Sequence, residues 1–159
     1  MKTKNISFSF KEYDDPGQLE KDDRELVKAA KDAAKNAYSP YSGFSVGAAV
    51  RLSGGSVVMG ANVENAAFPS GLCAERSALS NCISNHSGDA PVAIAVVAVT
   101  GGELTADPVS PCGQCRQVLA EEEMRNGNPI RVILSGSNKT QVIESCSFLL
   151  PLQFSRNSF

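Results

Sequence analysis

At 159 residues, 42% of them hydrophobic and 20% charged, the chain is long enough for one well-buried core and too short for two full domains. A net charge of −2 and a pI near 5.4 provide no positive field to gather a phosphate backbone, which argues against nucleic acid as the main partner and favours a small ligand. No stretch approaches the roughly 18 apolar residues of a membrane span, and Met1 to Tyr13 lacks the apolar run of a secretory leader, so a soluble cytoplasmic protein without a membrane partner is expected.

From the N-terminus, Ile6, Phe8 and Phe10 alternate with Ser7, Ser9 and Lys11, which is strand periodicity without an identifiable partner strand: an edge or an arm. Asp14-Asp15-Pro16-Gly17 breaks it, and residues 1–17 are set apart from a single domain over 18–159. Leu19 to Ala37 then reads as an amphipathic helix with Leu26, Val27, Ala30, Ala33, Ala34 and Ala37 near one face. Strands are expected over about Val46 to Leu52 and Val57 to Glu64, joined through Ser53-Gly54-Gly55-Ser56, whose glycines accept the positive φ of a tight hairpin. Alternation along the second strand puts Asn62 and Glu64 on the same face.

A helix is expected from Cys73 to about Ser84, followed by a doubly buried strand over Val92 to Val99. Ser110 as N-cap and Pro111 at the first helical position open another helix, which ends near Asn126-Gly127. Within it, Glu121-Glu122-Glu123 reads as a solvated face. Further strands follow at Ile130 to Leu134 and, shorter, at Gln141 to Glu144. Successive right-handed βα units put their helices on the same side of a sheet, so the two helix starts that carry cysteines can converge.

Those starts carry the chemistry. Cys73 is followed at distance by the pair Cys112 and Cys115, and three sulfurs without a fourth ligand match a catalytic zinc that keeps one position open. His86, the sole histidine, sits in a polar loop and reads as solvated. Cys82 and Cys146 lie among small or apolar residues and read as core. An odd cysteine count without a leader points to thiols rather than disulfides. Helix N-termini favour the thiolates that a metal needs. Three thiolates outweigh a dication, and Arg76, three residues after Cys73, is placed to donate to sulfur and relieve the excess. Glu75 is assigned proton transfer rather than ligation.

Ser39-Pro40-Tyr41-Ser42, Asn62-Val63-Glu64-Asn65, Cys73-Ala74-Glu75-Arg76 and Pro111-Cys112-Gly113-Gln114-Cys115-Arg116-Gln117 follow one another in the order of a known family. Over about Tyr38 to Phe154 the chain resembles the small, all-cysteine cytidine deaminases of the cytidine and deoxycytidylate deaminase superfamily. The resemblance implies a three-layer α/β/α fold on a mixed sheet of about five strands, one Zn²⁺ per chain, and a homotetramer. It implies hydrolysis of cytidine and 2′-deoxycytidine to the uridine forms with release of ammonia, in pyrimidine salvage, through attack of activated water at C4. Glu75 then takes the water's proton, passes it to ring N3 and assists the departing amine. By the same resemblance Asn62 and Glu64 contact the ribose, the Ala74 N–H holds the pyrimidine carbonyl, Phe44 lies against the base, and Phe154 completes a neighbour's site. Phe68 stands where many relatives have tyrosine. Open alternatives are a deaminase of a modified cytosine nucleoside, a non-catalytic zinc-stabilised module, and a deaminase acting on nucleic acid, which would require a basic or aromatic strand-binding groove.

Overall fold

The computed structural model describes residues 1–158 and arranges them as β1 (Lys11–Tyr13), α1 (Lys21–Ala34), β2 (Phe44–Leu52), β3 (Val57–Ala61), α2 (Ala74–Asn85), β4 (Pro91–Thr100), β5 (Glu103–Leu104), α3 (Gly113–Asn126), β6 (Arg131–Ser135) and β7 (Thr140–Ile143). One seven-stranded sheet runs in the order β1-β7-β6-β4-β2-β3, with β5 folded back on β4. β4 and β6 are parallel and every other pair is antiparallel.

Helices cover both faces. α1 buries Leu26, Val27, Ala30 and Ala34 against Ala49, Ala95, Val97 and Ile133, while α2 and α3 pack Ala74, Ala78, Leu79 and Leu119 against Val50, Ile94, Val96 and Val132. The expected three-layer α/β/α arrangement is therefore present. Its central strand β4 is buried over most of its length, because helices lie on both sides of it. Small residues set the spacing between layers: a Cβ on Gly60 of β3 would meet the Ala78 N–H and lie 2.7 Å from the Ala74 carbonyl, so the glycine lets α2 approach the sheet edge. The hairpin turn through Gly55, at φ +90°, is as expected, but its second strand ends at Ala61 rather than Glu64, so Asn62 and Glu64 follow the strand instead of lying on it.

Four further expectations need correction. The sheet has seven strands rather than five, because the N-terminal segment does find a partner, pairing Lys11 with Val142 and Tyr13 with Thr140, and because a two-residue strand follows the Gly101-Gly102 turn. α1 is shorter at both ends than Leu19 to Ala37. α3 begins two residues past Pro111, with Cys112 as its N-cap, since the Pro111 carbonyl is taken by the Arg116 guanidinium at 2.8 Å rather than by a helical amide. Finally, only Glu121 of the acidic triplet is exposed. Glu122 is buried and pairs with Arg125 at 2.5 Å, and Glu123 points at the C-terminal turn Cys146–Leu149. Helical rotation of 100° per residue spreads three consecutive side chains over most of the circumference, so a run of like charges does not define one face.

Cys82 and Cys146 are core residues, 1% and 0% exposed, and all five cysteines are free thiols. Among the described residues no helix is long and apolar enough to cross a membrane.

Candidate active site

Two helix starts and one strand end meet at the sheet's β2–β3 side. Val63 bridges to both Tyr38 and Leu72, drawing together the segment before β2, the end of β3 and the approach to α2. Cys73 then caps α2 in an extended conformation (φ −72°, ψ 153°), and Cys112 caps α3 similarly (φ −66°, ψ 168°). Each cysteine thus projects from just outside a helix rather than along it.

The Cys73 and Cys112 sulfurs lie 3.9 Å apart and those of Cys112 and Cys115 3.5 Å apart, and all three fall within 4.8 Å of one another. Sulfurs held at about 2.3 Å from one tetrahedral ion stand about 3.8 Å apart, so the donor set fits zinc. No fourth cysteine, histidine or carboxylate joins the group among the described residues. Burial pushes the Cys73 and Cys115 thiols up; Glu75 and the Cys112 sulfur add to both, while a hydrogen bond with Cys115 partly opposes the rise at Cys73. Cys112 is the exception: burial pushes it up, but the N–H groups of Cys115 and Gln114 and the neighbouring thiols outweigh that and hold it below the usual thiol range. A cation held among the sulfurs would favour the thiolate forms that burial opposes at Cys73 and Cys115.

Glu75 is 5% exposed, and burial raises its carboxyl above the ordinary carboxylate range although its own backbone N–H and the Cys115 thiol pull the other way. Such a group exchanges protons closer to neutrality than a solvated glutamate does. It opens into a cleft of about 620 Å³, within the roughly 300–1,000 Å³ range of small-molecule sites. Phe44, Asn62, Glu64, Phe68, Ala74 and Arg76 share its walls with Cys73 and Cys112.

Asn62 and Glu64 both reach the cleft, and both are also anchored. The Asn62 side chain accepts from Val46 N–H at 2.7 Å and donates to the Phe44 carbonyl at 2.9 Å, imitating a strand's hydrogen-bonding rung. One oxygen of Glu64 accepts from the amides of Tyr41 and Ser42 at 2.9 and 3.3 Å, and hydrogen bonds from Ser42 and Tyr41 hold its carboxyl below the ordinary range. Arg76 donates to Gln114 Oε1 at 3.2 Å, bridging the two cysteine-bearing helices, and among the described residues it makes no hydrogen bond to sulfur. Phe68 is 74% exposed and meets Tyr41 edge-on, with ring centroids 5.8 Å apart. Phe154 does not line this cleft; its carbonyl accepts from Gln117 on α3 at 2.9 Å. His86 lies at the far end of α2, where it caps that helix. Gln114, one of the two residues between the paired cysteines, is not recognisable as a site residue from sequence, since only the approach of the two helices makes it Arg76's partner.

A family model described as the cytidine and deoxycytidylate deaminase zinc-binding region matches residues 20–127. A cytidine deaminase of Halalkalibacterium halodurans is 52% identical over 96 residues, which span 60% of this chain and 68% of that protein. The crystal structure of a cytidine deaminase from Burkholderia pseudomallei superposes with a TM-score of 0.70 at 41% identity, covering 82% of this chain and 97% of that one. A blasticidin-S deaminase of Bacillus cereus is 28% identical over 87% of this chain and 96% of its own length. On the extent of the family match, the chain belongs to the cytidine and deoxycytidylate deaminase zinc-binding family.

Proposed function

We propose that the chain is a zinc-dependent deaminase of free cytidine and 2′-deoxycytidine, releasing ammonia and the uridine nucleoside, in pyrimidine salvage. The carrying observation is the conjunction of three sulfurs at zinc spacing with a buried glutamate carboxyl on the wall of one nucleoside-sized cleft. Cys73, Cys112 and Cys115 are the ligands of one Zn²⁺. When bound, the ion supplies the Lewis acidity that brings a water's ionisation towards neutral pH.

Glu75 begins as a carboxylate, accepts a proton from the attacking water and delivers it to ring N3; it then takes the remaining proton from the hydroxyl now on C4 and hands it to the departing amine, ending as a carboxylate again. Atoms balance as nucleoside plus water giving uridine nucleoside plus ammonia. The Ala74 N–H, one of the amides that a helix start leaves unpaired, donates to the pyrimidine carbonyl. Asn62 uses its remaining amide hydrogen, and Glu64 its remaining oxygen, for ribose hydroxyls. Phe44 lies against the base. Arg76, held by Gln114, offsets the negative charge of three thiolates.

Residues 18–159 act as the deaminase domain and 1–17 as an arm. The chain assembles as a homotetramer in which Phe154 completes a neighbour's pocket, a reading supported by its 64% exposure and its absence from the walls of its own cleft. Five free thiols, three of them needed as ligands, suit the reducing cytoplasm. The nearly full-length similarity to a blasticidin-S deaminase favours a second reading, a modified cytosine nucleoside as substrate. Ammonia release from a panel of cytidine, deoxycytidine, cytosine, CMP, a cytosine oligonucleotide and blasticidin S tests both. Turnover of the two free nucleosides is expected; preference for blasticidin S supports the second reading, and preference for the oligonucleotide overturns both.

A further inference from the structure

Arg116 follows the buried ligand Cys115, and its guanidinium turns back beneath the loop that opens α3. Nε donates to the Pro111 carbonyl at 2.8 Å and Nη1 to the Leu149 carbonyl at 3.0 Å. The Pro111 carbonyl shares a planar peptide unit with the Cys112 N–H, so the bond that fixes this oxygen also fixes the plane from which Cys112 hangs. No backbone amide reaches that carbonyl among the described residues. The arginine is therefore the group that fixes the Pro111 carbonyl, and with it the peptide plane before Cys112.

Its second anchor is firm. Leu149 ends the turn Cys146–Leu149, which α3 holds through Glu123: Ser145 Oγ donates to that carboxylate at 2.6 Å, Cys146 N at 3.1 Å and Cys146 Sγ at 3.2 Å, and Ser147 Oγ donates as well. Arg116 therefore ties the most exposed sulfur of the cluster to a rigid C-terminal turn. A lysine cannot imitate this, since one ammonium lacks the planar fork that addresses two carbonyls at once.

We propose that Arg116 is a positioning residue for the metal site, orienting Cys112 and thereby governing how tightly zinc is held; the proposal rests on the zinc-deaminase reading. Zinc transfer to a chromogenic chelator is followed for wild type, Arg116→Lys and, as a control on the same helix, Arg125→Gln, alongside the thiolate-to-metal charge-transfer bands of the Co²⁺-substituted proteins. Arg116→Lys is expected to lose zinc about tenfold faster or more, with shifted Co²⁺ bands, while Arg125→Gln matches wild type. Wild-type release and bands in a folded Arg116→Lys protein overturn the proposal. If that variant does not fold, Ser147→Ala, which loosens the turn, decides: faster release supports the proposal and wild-type release overturns it. Failure of the deaminase reading is distinct, because it shows in the wild-type protein, which would then lack stoichiometric zinc or release no ammonia from cytidine.

Discussion

The ring of Phe8 stacks on that of Phe148, with centroids 6.1 Å and planes 20° apart, so the N-terminal arm rests on the C-terminal turn. The same arm adds β1 to the free edge of β7, and Glu12 accepts from Gln141 at 2.8 Å. Phe8→Ala is expected to cost about 0.5–1.5 kcal/mol, the range for an aromatic pair, and to lower Tm by a few degrees without changing zinc content. Thermal unfolding with metal analysis checks this; an unchanged Tm would mean that the stack contributes nothing in solution.

Glu75→Gln preserves shape and hydrogen bonding yet cannot accept a proton. Turnover of cytidine is expected to fall by at least about 10²-fold, the lower range for a positioned acid–base group, with zinc retained at one per chain. Ammonia assay and atomic absorption on the same sample decide it, and a variant as active as wild type removes the assigned role.

Glu123 gives a pH prediction with a definite sign. Burial pushes its carboxyl up, but the hydroxyls of Ser145 and Ser147, the Ile130 amide and the Cys146 thiol together outweigh this and leave it below the ordinary range. A carboxyl depressed by folding stabilises the native state above its unfolded value, and that contribution disappears as pH falls through the folded value. Glu123→Gln is expected to cost about 1–2 kcal/mol at neutral pH, the modest end for charged hydrogen bonds because the group keeps partial solvent contact. The Tm gap between wild type and variant should narrow on acidification below about pH 4; a gap that widens there contradicts the assignment.

Gly60→Ala forces a methyl group into the backbone of α2 at Ala74 and Ala78. The substitution is expected to cost about 1–3 kcal/mol as overpacking, and to disturb zinc binding because the displaced helix carries Cys73 at its cap. Tm together with zinc stoichiometry reports both effects; a variant with wild-type values for each would show that α2 shifts freely.

Legibility differed by the range of the forces involved. Cys73, Cys112 and Cys115 with Glu75 could be read because metal chemistry restricts residue type and local spacing, and the βα order already brings two helix starts to one side of the sheet. The hairpin at Gly54-Gly55 could be read because positive φ is a local steric demand. Glu123 could not: its neighbours in the chain suggest a charged surface, whereas its hydrogen-bonding partners at Ile130 and 145–147 come from elsewhere. Arg116 and Asn62 were similarly opaque as braces, since each acts on backbone carbonyls or amides that only folding brings near.

The amino-acid order alone therefore determined which three cysteines gather, the glutamate that stands beside them and the alternation of helix and strand, because covalent spacing and residue chemistry suffice for these. Tertiary structure alone decided which strand the N-terminal segment pairs with, that α3 starts at Gly113 with Cys112 as its cap, and that Glu122 and Glu123 turn inward. Each of these depends on partners distant in sequence, and a buried polar group settles where its hydrogen bonds can be satisfied rather than where its neighbours in the chain point.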